Sequence, residues 1–128
     1  MKLKSAFVFL LFTALFLSGV NAQTSKQGKM LRHVVMFKFS ESTTPAGIQK
    51  IEAAFAALPQ KIKEIKSLEW GINTSPEKLN QGMTHCFILT FTSDKDRDAY
   101  LIHPAHQAFG KSLGSDVEKV TVVDFWVK

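Results

Sequence analysis

"MLRHVVMFKFS", residues 30–40, is the stretch whose reading decides the fold. It is rich in β-branched and aromatic residues. His33, Val35, Phe37 and Phe39 fall on one face, and Val34, Met36 and Lys38 on the other, as the two-residue period of a strand requires. Both faces are mostly apolar, so the strand is expected to be covered on both sides. Three later stretches have the same character. "SLEWGIN" (67–73) alternates Leu68, Trp70 and Ile72. "MTHCFILTFTS" (83–93) sets His85, Phe87, Leu89 and Phe91 against Cys86, Ile88, Thr90 and Thr92. "VEKVTVVDFWV" (117–127) carries Asp124 in an otherwise apolar run, where an unpartnered carboxylate would be costly.

The segments between them read as helices. Thr44 suits a cap and Pro45 a first helical position. Ile48, Ile51, Phe55 and Leu58 then recur at steps of three and four, which marks one apolar face. Pro59 interrupts this helix, and Ile62 and Ile65 are placed to continue its face for another turn. "TSPEKLNQG" is a polar loop. "SDKDRDAYLI" opens a short helix capped by Ser93 or Asp94, and "HPAHQAFGKSLG" a further one ending near Gly114.

The order is β-α-β-β-α-α-β, the split βαβ pattern of an α+β, ferredoxin-like domain with one four-stranded antiparallel sheet. Helices then cover one sheet face. By parity the other carries Val34, Met36, Ile88, Thr90, Val123 and Phe125. So large an apolar patch implies a partner surface. The economical partner is a second copy, sheet facing sheet, in a homodimer.

Residues 1–22 are set apart from this domain. Lys2 and Lys4 precede an apolar run from Ala6 to Leu17 broken only by Thr13, and small residues lead to Val20, Asn21 and Ala22. This is the pattern of a secretory signal, and the run is short of the roughly 20 residues of a membrane span. The expectation is a secreted or periplasmic protein, free of the membrane once the signal is removed. Residues 23–29 read as a flexible linker and 30–128 as the domain. Without residues 1–22, which include Lys2 and Lys4, 14 Lys and Arg stand against 11 Asp and Glu, net +3. The basic residues are spread out, which argues against nucleic acid. Cys86 is the one cysteine. An internal disulfide is therefore excluded, and Cys86 reads as an inert core thiol.

"YLIHPAHQAFG" (100–110) holds two of the four histidines and the single tyrosine. The residue before a proline is pushed out of the α region, so His103 is expected at a helix boundary. His106 then lands in the first turn on the buried face, with Phe109 and Leu113 following it. The positive end of the helix dipole and partial burial both favour the neutral imidazole, the form that accepts a proton. Asp124 is a candidate partner that would oppose this. A metal site is disfavoured, because His103 lies outside the helix and no further ligand cluster has suitable spacing; no metal or other cofactor is expected.

"HVVMFKF", "WGIN", "GMTHCFILTFTS", "YLIHPAHQAFG" and "VVDFW", in this order over residues 31–127, resemble the stress-responsive α/β-barrel (Dabb) family. The Tyr-x-x-His-Pro-x-His segment is the most specific of them. The resemblance implies ferredoxin-like protomers that dimerise sheet to sheet into an α/β barrel. The family includes a cyclase that closes a linear polyketide by aldol condensation. Its site residues would fall on His106 and Tyr100 as the acid–base pair, with His33, His85 and Asp124 around them. Phe55 departs from it, standing where that cyclase has a tyrosine.

The residues themselves place Phe37, Phe39, Phe87 and Phe91 beside His33 and His85 as an aromatic floor, with Phe55 and Phe109 above. Such a floor is more often ordinary core than a ligand site, and His106, Tyr100 and Asp124 each have a purely structural reading as packing or pairing groups. Three functions follow. The first is a non-catalytic binding or stress-response protein with a pocket for a small apolar or aromatic carbonyl ligand. The second is a cofactor-free cyclase, lyase or isomerase using His106 and Tyr100. The third is a cofactor-free monooxygenase. Export argues against the cyclase's own substrate, since polyketides are made on intracellular synthases.

Overall fold

The computed structural model describes residues 28–128. The expected signal segment, 1–22, and most of the linker lie outside the described residues. The elements are β1 (Leu31–Phe39), α1 (Pro45–Ala56), α2 (Leu58–Lys61), β2 (Ser67–Ile72), β3 (His85–Phe91), α3 (Asp94–Ile102), α4 (Pro104–Ser112) and β4 (Val117–Trp126). The four strands form one antiparallel sheet in the order β2-β3-β1-β4, the ferredoxin-like arrangement. β1 sits between two neighbours at the centre of the sheet, its helix-facing side buried and its other side only partly so; β2 and β4 are the edges.

The helix boundaries follow local chemistry. The Thr44 hydroxyl accepts from the Gly47 N–H at 3.1 Å, and the Ser93 hydroxyl from the Asp96 N–H at 3.0 Å. Each satisfies a donor that the first turn leaves without a helical partner. His103 is extended (φ −65°, ψ 135°) and its Nδ1 accepts from the Ala105 N–H at 3.1 Å. It is a capping imidazole between α3 and α4, not a member of the site. The helical face does not continue through Ile62 and Ile65. After the single turn of α2, Ile62 is extended (φ −127°, ψ 102°). Ile62 and Ile65 are nevertheless buried, so the chain keeps their burial while giving up the helix after Lys61.

Register puts His33, Val35 and Phe37 of β1, Phe87, Leu89 and Phe91 of β3 and Val122 and Asp124 of β4 on the helix-facing side. Phe37, Phe55 and Phe87 are at most 1 % exposed and form the centre of the core. Phe87 stacks on Phe55 at 4.0 Å and 10°. Val34 pairs with Ile88 on one side and Val123 on the other, Met36 with Cys86 and Thr121, and Arg32 with Thr90 and Phe125. These residues make up the opposite face, which no helix among the described residues covers. Val123 and Phe125 are half exposed there. Cys86 belongs to this face and not to the core as expected: it is partly exposed, though burial still pushes its thiol pKa up. The β2–β3 loop turns back at Gly82 (φ +81°), whose Cα packs against the Lys38 stem so closely that a Cβ would lie 2.8 Å from it.

Candidate active site

A cavity of about 260 Å³ opens between α3, α4 and the β1–β4 half of the sheet. Phe37, Phe55 and Phe109 form its apolar body, and His33, Tyr100, His106 and Asp124 bring polar groups to it. Four of the five expected catalytic residues thus meet around one hollow, although they come from β1, α3, α4 and β4. Tyr100 is the centre of the group. Its ring lies 5.5 Å from the His33 ring and 4.3 Å from the His106 ring.

Each imidazole is anchored by one nitrogen. His106 is half-buried in the first turn of α4, and its Nδ1–H donates to the Leu101 carbonyl at 3.1 Å. A carbonyl can only accept, so Nδ1 carries the proton and Nε2 keeps a free lone pair. The orienting group is therefore a backbone oxygen and not Asp124; sequence had left both open. Asp124 instead accepts from His33 Nδ1 at 2.6 Å and from Arg97 Nη1 at 2.5 Å. Nor is Asp124 fully enclosed: β4 is an edge strand, and the carboxylate side chain is 26 % exposed. The His33 pKa is lowered from its ordinary value because burial disfavours the charged ring, against the opposing pull of the Asp124 carboxylate.

Tyr100 is 1 % exposed as a residue, and its hydroxyl makes no hydrogen bond among the described residues; no fully enclosed side-chain polar atom there lacks a partner, so the hydroxyl opens into the cavity. Burial, and then the Asp124 charge, push its pKa well above 10. It is a proton-bearing donor at any physiological pH. Because the sequence holds a single tyrosine, this state can be read directly. The unfolded chain should ionise Tyr100 near pH 10 and the folded one only well above it. The folded state then binds the extra proton between those two values, so stability is full below pH 10 and falls as pH rises. Tyrosinate absorbance near 295 nm is expected to appear in step with unfolding. Half-ionisation at pH 10 with the fold intact would show an exposed hydroxyl.

Two expected residues stand elsewhere. His85 shares the helix-facing side with His33 but lies toward the other end of β3. Its Nε2 meets Glu52 of α1 at 2.8 Å and its Nδ1 meets the Thr84 hydroxyl at 2.9 Å. With both nitrogens occupied it has no lone pair to offer, and it does not line the cavity. Phe87 is not in the cavity wall either; it lies beneath Phe55, between that ring and Trp70. Sequence reasoning missed Glu52 and Arg97. Nothing local marks either residue, since both look like ordinary solvent-facing helix charges until the fold brings β3 and β4 against them. Among the described residues no three His, Cys, Asp or Glu side chains come together as a metal centre would need.

The chain belongs to the stress responsive A/B barrel domain family, which matches residues 31–127. It is 30 % identical over 95 residues to olivetolic acid cyclase of Cannabis sativa, covering 74 % of this chain and 94 % of the cyclase. The structure of a hydroxynitrile lyase from Passiflora edulis superposes with a TM-score of 0.74 at 25 % identity, covering 79 % of this chain and 95 % of the lyase. A Bacteroides fragilis protein of ferredoxin-like fold, described as dimeric, superposes with a TM-score of 0.63 at 28 % identity over 77 % of this chain and 96 % of its own.

Proposed function

We propose that this chain is an exported homodimer whose cavity carries out cofactor-free acid–base chemistry on a small carbonyl compound. The observation that carries the reading is the Tyr100 hydroxyl, which makes no hydrogen bond among the described residues and opens into an apolar hollow beside the His106 ring. An unengaged hydroxyl at the wall of such a hollow is free to donate to a substrate oxygen. His106 Nε2 takes a proton from the substrate, and Nδ1–H to the Leu101 carbonyl steadies the imidazolium that forms. Tyr100 donates to the oxygen on which negative charge develops. A volume of about 260 Å³ lies at the small end of ligand sites. Relatives named as a cyclase and as a hydroxynitrile lyase support an enzyme over a passive binder.

The dimer rests on the uncovered sheet face with its half-exposed Val123 and Phe125, and on the neighbours described as dimeric. Export rests on the charged, apolar and small-residue succession of residues 1–22. The direct test is to incubate the purified chain with panels of cyanohydrins and of linear polyketones and follow products by chromatography. Turnover is expected in the native chain and lost in Gly110→Leu. Gly110 lines the cavity and has nothing within 4 Å of an added Cβ, so a side chain can start there without a backbone clash and take up cavity space. Leucine is also the better helix former, by up to about 0.8 kcal/mol. Saturable ligand protection without turnover in any panel would leave a binding protein instead.

A further inference from the structure

Three carboxylates converge on one guanidinium beside the cavity. Arg97 Nε donates to Asp98 at 2.7 Å, Nη2 to Asp94 at 3.4 Å and Nη1 to Asp124 at 2.5 Å. The first two partners belong to α3, as Arg97 does; the third is on β4. The helix carboxylates fix the plane of the fork so that its remaining edge meets Asp124, which a lysine's single ammonium could not reproduce. Asp124 is then held from both ends, one oxygen on Arg97 and the other on His33 Nδ1–H. It cannot turn away from the imidazole. Nδ1 remains the protonated nitrogen, and the lone pair stays on Nε2. That nitrogen makes no hydrogen bond among the described residues, and, since no fully enclosed side-chain polar atom there lacks a partner, it opens into the cavity the ring lines. His85 is the contrast within the same chain, an equally buried imidazole with both nitrogens engaged.

We propose that the cavity carries a second proton acceptor, His33 Nε2, and that Arg97 is the positioning residue that holds it in that form through Asp124. The proposal rests on the acid–base reading of the same cavity and says what the cavity selects. Two acceptors, His33 and His106, flank one donor, Tyr100. A fitting ligand offers a hydroxyl or an acidic C–H on each side of an acceptor oxygen, as a hydroxycarbonyl compound does.

The charged and titratable groups that face His33 are Asp124 from β4, Arg97 and Tyr100 from α3 and His106 from α4. The test is a ¹⁵N NMR titration of the imidazoles in the full chain, which needs no substrate. In the native protein His33 is expected as the Nδ1–H tautomer with a midpoint below 6.5. Arg97→Gln removes the cation that opposes protonation of the ring and lets Asp124 turn away from Nδ1. The midpoint should rise, and the Nε2–H tautomer should become visible. Arg97→Lys should bring the midpoint back toward native while restoring only part of the tautomer bias. In an Asp124→Asn background, Arg97→Gln should add nothing to the tautomer change, the signature of two residues acting as a unit. An unchanged titration in Arg97→Gln, a lysine that restores neither property, or an undiminished effect without Asp124 would each overturn the proposal while leaving the reading of the cavity intact. A normal set of titrations in a protein that turns over no carbonyl compound would do the reverse.

Discussion

Turnover by the His106→Ala variant is expected to fall by about 10²–10⁴, the usual worth of a positioned proton acceptor. The fold should persist. His106 is half-buried and contributes one hydrogen bond, to the Leu101 carbonyl, whose net worth is about 1 kcal/mol. A partner variant sharpens the result. Tyr100→Phe removes only the donor aimed at the developing oxyanion, and loss of one such donor costs about 10²–10³ in rate. Because Tyr100 Oη has no partner to lose among the described residues, this variant should be at least as stable as the native chain. Steady-state rates beside thermal melts decide the matter. Full activity in His106→Ala would remove the catalytic role assigned to the imidazole.

Phe87→Ala is expected to destabilise the domain by about 3–5 kcal/mol. The ring is fully buried, stacked on Phe55 at 4.0 Å and on Trp70 at 5.4 Å, with Phe37 tilted against it at 5.4 Å. Its neighbours are themselves held by the strands β1 and β2 and the helix α1, so the space cannot close by collapse. A domain of this size has roughly 5–15 kcal/mol of total stability. The variant should therefore denature at a midpoint lower by about 1–5 M urea with an unchanged slope. Phe87 does not line the cavity, so the folded fraction should retain its activity. A loss below 1 kcal/mol would mean that the core repacks around the gap, and that the Phe55–Phe87 stack is not the centre of the domain.

The two variants probe different layers, and the sequence spoke unequally about them. Strand periodicity places Phe87 on the buried face from 83–93 alone, because alternate residues of a strand must point to opposite sides. The opposite face was equally legible: parity put Val34, Ile88 and Val123 together, and the register pairs them directly. Helix starts were legible wherever a cap lay within three residues, as at Thr44 and Ser93. The segment after Pro59 was less so. Ile62 and Ile65 satisfy a helical period, but burial alone produced that spacing, and the chain is extended at Ile62.

The residue types of the site were visible in sequence, but their partnerships were not. His106 has its position from Pro104, which sets the helix start, and its anchor, Leu101, lies only five residues away. Local chemistry could in principle have named that pair. Asp124 and His33 are 91 residues apart and Arg97 and Asp124 are 27 apart, and only strand pairing and helix docking bring them together. His85 and His33 look alike in the chain, each on the inward face of a strand beside aromatic residues. The tertiary structure separates them: Glu52 and Thr84 close both nitrogens of one ring, while Asp124 and Arg97 leave the other open at Nε2. The sequence by itself determined the element order, the inward and outward faces and the helix start that aims His106, because periodicity and capping act over a few residues. Which carboxylate meets which imidazole was decided only by the folded sheet, because hydrogen bonds between distant residues depend on register and docking that no local pattern encodes.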